Sequence, residues 1–123
     1  MFLKLLVFLV AFAPGLLWAE GPTTHADGSV TWDPPAAYSG AYSGQLYIMQ
    51  IPQHQIPEQC RILFRNHGLT WDKMSEDQKG CAAWAGNSCT IIIPTEAQQG
   101  ASVESIAKHE IGHCNGWPAD HSD

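Results

Sequence analysis

The sequence predicts a small α+β fold, with an antiparallel or mixed sheet packed on one backing helix and one C-terminal helix. Three observations carry this expectation. Gln45 to Ile51 and Thr90 to Ile93 are β-rich apolar runs, each followed by a proline. Ile56, Cys60, Leu63, Phe64 and His67 recur at helical spacing. A second helical pattern, Val103 to Cys114, sets His109 and His113 four residues apart and so on one face.

Residues 1–19 are expected to lie outside that fold. Lys4 supplies a positive charge, Leu5 to Phe12 is uninterruptedly apolar, Pro14-Gly15 breaks the run, and Ala19 precedes Glu20. This is the layout of a secretory signal peptide cleaved after Ala19. The apolar stretch is short for a bilayer span, so no stable membrane insertion is expected after cleavage. The mature chain, residues 20–123, has room for one core and so for one small domain.

Without Lys4, 5 basic residues face 12 acidic ones, a net charge of −7. There is no basic cluster, which argues against nucleic acid and anionic membrane surfaces as partners. A monomer is the simplest expectation. All four cysteines, Cys60, Cys81, Cys89 and Cys114, fall in the mature chain. An even count in a small exported domain reads as two disulfides, and therefore as a periplasmic or secreted protein. The spacings contain no C-x-x-C pair, which argues against a cysteine metal site. Of three connectivities, Cys81–Cys89 with Cys60–Cys114 is favoured, the first as a short local closure and the second as a tie between helices.

Each element has a local reason. Residues 20–28 are polar and loose, and Ser29 to Trp32 is a candidate short strand. Asp33 to Gly44 is a loop rich in proline and glycine. Ala-Tyr-Ser-Gly occurs twice within it, too short a duplication to mark a repeat. Gln45 to Ile51 is the first convincing strand, bounded by Gly44 and Pro52. Pro57 suits the first turn of the backing helix, and Gly68 can end it. Leu69 to Gly80 reads as a loop or a ragged helical turn. Cys81 to Ala85, Gly86-Asn87 and Cys89 to Ile93 read as a hairpin. After a loop over 95–101, Ser102 is a plausible N-cap and Glu104 suits the first helical turn. Val103, Ile106, Ala107 and Ile111 line the buried side of the C-terminal helix, and Gly116 suits a left-handed turn beyond it.

His109-Glu110-Ile111-Gly112-His113 is an H-E-x-x-H motif. Two imidazoles four residues apart on a helix can grip one metal ion, and Glu110 stands beside them to take a proton from a water. Two histidines and a tetrahedral habit favour zinc (Zn2+). A catalytic zinc usually takes three protein ligands, so a third is required. The Gly116 turn reverses the chain, and Asp120 or His121 can return to the metal.

With Gly116 included, the sequence resembles the zincin metallopeptidases, and more narrowly the metzincin-type pattern H-E-x-x-H-x-x-G-x-x-H/D. His109, Glu110, His113 and Gly116 match it in place, whereas the usual third-ligand position holds Ala119. Gly-Trp-Pro-Ala-Asp-His is similar to the Gly-Leu-Pro-Asp-His of snapalysin-like proteases with one residue inserted. His-Glu-Ile-Gly-His-Cys-Asn-Gly-Trp-Pro most resembles small exported proteobacterial proteins that carry the same string. The likeness is close over 109–121 and loose over 81–121. His121 is the favoured third ligand, because imidazole is the commoner zinc ligand and the chain has a residue of slack. Asp120 is the alternative, or a group orienting a ligand histidine.

The resemblance implies a minimal zincin-like domain and an exported zinc-dependent metallopeptidase acting on a peptide or protein, with Glu110 as general base. It also implies that the free edge of the Cys89–Ile93 strand, at Ile92, binds an extended substrate. Trp84 and Trp117 would line a subsite or form core. No methionine turn follows His121, so support beneath the ligands is expected from upstream, from the core around Met49 or Met74, although ordinary packing is the favoured role of both. His25, His54 and His67 are expected at the surface, with His54 the substitute ligand. The alternatives are a non-catalytic metal-binding or inhibitory zincin-like module and a structural protein with incidental histidines.

Overall fold

A computed structural model of the chain describes residues 23–24, 30–69, 74–119 and 121–122. The expected signal peptide, His25 and Asp120 lie outside the described residues. Among those described, the order is β1 (Thr23–Thr24), β2 (Val30–Thr31), β3 (Gln45–Ile51), α1 (Ile56–Asn66), β4 (Cys81–Ala85), β5 (Ser88–Pro94) and α2 (Val103–Cys114). The fold is α+β, with a three-stranded mixed sheet and two helices. β1 and β2 form a separate antiparallel pair.

The sheet order is β3-β5-β4. β4 and β5 form the expected hairpin across Gly86-Asn87, pairing Ala85 with Ser88 and Cys81 with Ile92. β3 lies parallel to β5, from Gln45 opposite Ser88 to Ile51 opposite Pro94. β5 is therefore the central strand, with both edges paired. The expectation that the Cys89–Ile93 strand offers a free edge is corrected: the edge strands are β3 and β4. β3 is strongly β-forming yet only partly covered, with Leu46 and Ile51 packed against the two cores. Tyr47 is 54% exposed and Ile48 55%.

Side chains alternate across a strand, so β5 feeds two cores. Ile92 joins Cys81 and Ala83 of β4 against Ile56, Cys60 and Phe64 of α1. Cys89, Ile91 and Ile93 join Ala82 of β4 against Ile106 and Cys114 of α2. The sheet thus lies between the helices, one on each face. α2 turns its expected side inward, with Val103, Ala107 and Ile111 at the margin of the core. Ser102 caps it, its Oγ accepting from the Ser105 N–H at 3.0 Å.

The same alternation decides the disulfides. Cys81 and Cys89 point to opposite faces of the hairpin, and Cys60 and Cys114 sit on helices separated by the sheet. Neither expected pairing can close. The bridges are Cys60–Cys81 and Cys89–Cys114, so each pins one helix to the face it covers. They span sequence separations of 21 and 25 residues. Loop-closure entropy gives about 3 kcal/mol for each. Two bridges are typical of proteins from oxidising compartments, and among the described residues no helix is long and apolar enough to cross a membrane.

Replacing either cysteine pair by alanines is expected to lower the unfolding free energy by about 3 kcal/mol in urea titrations. A loss under about 1 kcal/mol for both pairs would show that the bridges contribute little.

Candidate metal centre

Helical geometry puts the His109 and His113 rings on one face of α2, where their centroids are 5.0 Å apart. Both are buried, at 0% and 4% exposure. The orientation of each ring is fixed from outside the helix. His109 Nδ1 donates to the Trp32 carbonyl oxygen at 2.9 Å. His113 Nδ1 donates to the Trp117 carbonyl oxygen, also at 2.9 Å. A carbonyl oxygen only accepts, so each Nδ1 carries the hydrogen and each neutral ring presents an Nε2 lone pair.

The third ring arrives from the chain beyond the helix. α2 ends in a paired set of turn bonds, from the Gly116 N–H to His113 O and from the Trp117 N–H to Gly112 O, both 3.0 Å. This is the Schellman arrangement, and it requires Gly116 in the left-handed region, at φ +101°. The chain then folds back. The His121 N–H donates to Pro118 O at 2.9 Å, and His121 itself adopts φ +61°. Its Nε2 comes to 3.1 Å from His109 Nε2 and 3.2 Å from His113 Nε2.

These two separations are close to those of a metal site, and the three ligand atoms all lie within 4.8 Å of one another. Nitrogens about 2.0–2.1 Å from a tetrahedral ion lie about 3.3 Å from one another. His109, His113 and His121 are thus able to hold a metal ion. Among the described residues this is the one such group. His54 is exposed, and His67 Nδ1 lies 2.9 Å from Leu63 O, so neither joins it.

Glu110 is 1% exposed. A Cβ added at Gly80 would stand 3.1 Å from its Oε2 and 2.8 Å from the Ile92 carbonyl, so the bare Cα of Gly80 makes room for the carboxyl. Gln78, itself buried, donates from Nε2 to Gly80 O at 2.8 Å, and Gln53 Nε2 donates to Gln78 O at 3.0 Å. These bonds hold the start of the β4 edge strand beside Glu110.

Trp32 to Pro34 clamp the other side of α2. Besides the Trp32 carbonyl, Asp33 Oδ1 accepts from Ser105 Oγ at 3.2 Å, and Pro34 packs on Gly112. The Lys79 ammonium lies 5.4 Å from the Trp32 ring centroid. At the helix end, Asn115 Nδ2 donates to Tyr38 O and Gly40 O, tying in the loop with the duplicated tetrapeptide.

Ile92 departs from its expected place at a cleft and Met49 from core packing, whereas Met74 and Trp117 take the packing roles favoured for them. Ile92 is buried against α1, on the face of the sheet away from the histidines. Met49 is 41% exposed on β3, and Met74 packs toward α1, so neither lies beneath the histidines. The residue under them is Trp117, which is 1% exposed and therefore a floor, not an open subsite wall. Its ring stacks on His113 at 4.9 Å and 14°, and meets His109 and His121 edge-on at 5.0 and 4.8 Å. Trp84 is half-buried at the margin of the core on the α2 side.

Sequence reasoning passed over the Trp32 carbonyl, Gly80 and Gly112. A backbone acceptor leaves no trace in residue identity, and the two glycines matter only through what packs on them. Gly112 gives a test. Gly→Ala inside a helix ordinarily stabilises by about 0.5–1 kcal/mol. Here the new Cβ would meet Pro34 Cβ at 2.7 Å and the Trp117 ring at 3.1 Å. Gly112→Ala is expected to destabilise by about 1–3 kcal/mol in denaturant titrations; a stabilised variant would show that the clamp does not press on the helix. No family model, curated protein or solved structure matches the chain, so the chemistry of these residues carries the functional reading.

Proposed function

We propose that this is an exported zinc-dependent metallopeptidase. One observation carries the reading: three imidazole nitrogens converge at a helix that also carries a buried glutamate, next in sequence to His109. An all-imidazole donor set suits zinc, and the three ligands found among the described residues would leave one coordination position for water or substrate. When bound, the ion would supply Lewis acidity, polarising a carbonyl and acidifying a water.

The chain's own residues do the rest. Glu110 acts as general base: its carboxylate takes a proton as the water oxygen bonds to the carbonyl carbon of the peptide. It then delivers that proton to the amide nitrogen as the C–N bond breaks. Its burial keeps the carboxylate out of bulk water, where proton transfer is better directed. The Trp32 and Trp117 carbonyls hold His109 and His113 in the tautomer that binds metal. β4 supports the substrate, because its outer edge is free among the strands described and its first residue follows Gly80, which lies against Glu110. An extended peptide adding there would lie beside the base.

The alternative is a metal-binding module without turnover. It draws on the same burial, since His109 and Glu110 are almost entirely covered. Glu110→Gln separates the two readings. In the enzyme, hydrolysis of a mixed peptide library requires bound metal, stops on chelation and returns with Zn2+. The variant keeps one equivalent of zinc while kcat falls by about 10²–10⁴-fold. Equal inertness of wild type and Glu110→Gln toward every peptide would leave only the module.

His121→Ala is expected to weaken zinc binding by at least about tenfold in chelator competition, while leaving the unfolding transition in EDTA within about 0.5 kcal/mol of wild type. Unchanged affinity would remove His121 from the ligand set.

A further inference from the structure

We infer that Trp117 is the positioning residue of the metal centre, latching the segment that brings His121 to His109 and His113. This rests on the metal-binding part of the proposed function and does not depend on peptide hydrolysis.

Three features of one residue converge. The Schellman turn at Gly116 places the Trp117 backbone so that its carbonyl accepts from His113 Nδ1. The same turn slides the indole beneath the ligands, stacked on one ring and edge-on to the other two. The indole Nε1–H then donates to the Ser122 carbonyl at 3.0 Å. Ser122 directly follows His121, so this bond closes residues 117–122 into a small loop with His121 inside it.

The loop needs holding. His121 is the one non-glycine residue described with a left-handed backbone, a conformation that costs of order 1 kcal/mol and persists only where the surroundings enforce it. The turn bond to Pro118 O holds one side of His121, and the indole bond to Ser122 O holds the other. Without the indole N–H, that restraint on Ser122 is lost and the placement of the His121 ring is weakened. Trp117 is buried, so its indole N–H is costly to leave unmade, and it finds its acceptor at the exposed Ser122.

Trp117→Phe isolates the latch: it keeps an aromatic ring beneath the histidines and removes the N–H. The experiment is a double-mutant cycle with His121→Ala in the full chain, read by Co2+ affinity and the Co2+ absorption spectrum. Trp117→Phe is expected to weaken Co2+ binding by about 10–100-fold and to shift the spectrum toward that of His121→Ala. In the His121→Ala background it should weaken binding by less than about threefold, because the residue it positions is already gone. A merely structural role for Trp117 would multiply the two losses and leave the spectrum unchanged, and that result overturns the inference. So does a Trp117→Phe affinity within about threefold of wild type. A wild type that binds neither Co2+ nor Zn2+ refutes the proposed function itself.

Should Trp117→Phe prove unfolded in EDTA by far-UV circular dichroism, the wild type decides. The Trp117 indole N–H is then expected to exchange with solvent at least about tenfold more slowly in the zinc form than after chelation, by NMR. Equal exchange in the two forms means that the latch and the metal are unconnected, and the inference falls.

Discussion

Two backbone carbonyls govern this structure. Trp32 O and Trp117 O each accept a hydrogen bond from the Nδ1 of a helix histidine, and so turn two Nε2 lone pairs toward one place. Helical spacing alone puts both rings on one face but leaves each free to rotate and to exchange tautomers. The carbonyls remove that freedom. One comes from the segment after β2, the other from the turn that ends α2, so the two rings are fixed by chain from both ends of the described region. The third ring, His121, completes the set through the same turn.

Such a clamp needs a rigid support, and the chain has little core from which to build one. The solution is a sheet of three strands held between two helices, with one disulfide per face. Cys114 directly follows His113, so the Cys89–Cys114 bridge pins the ligand-bearing end of α2 to the central strand. Cys60–Cys81 does the same for α1 and β4, and β4 is the edge strand that starts beside Glu110. Both bridges therefore secure elements that form the site. Close approach does the rest: Gly112 admits Pro34, and Gly80 admits the Glu110 carboxyl.

The two edges of the sheet differ in character. β4 is short and buried on both faces over Cys81 to Ala83, and it begins at the glutamate. β3 is longer and carries Tyr47, Ile48 and Met49 well exposed, away from the histidines. Its apolar sequence marks it as a strand, and its position in the sheet is peripheral. β-propensity reports compatibility with a pleated strand, not where in the sheet that strand lies.

What the sequence by itself determined is local. The bounds of β3, the β4–β5 hairpin, the Ser102 cap, the span of α2 and the glycine turn at Gly116 all follow from neighbouring residues, because capping, periodicity and turn chemistry act within a few positions. His109, Glu110 and His113 are legible for the same reason, since a helix fixes their relation. His121 could be read only as one of two candidates, because the turn reverses the chain without specifying where it returns. The disulfide pairing, the central place of β5, the burial of Ile92 and the floor of Trp117 were decided by tertiary structure alone. Each depends on which face of the sheet a side chain meets and which helix covers that face, and strand alternation makes those choices only once the strands have been ordered.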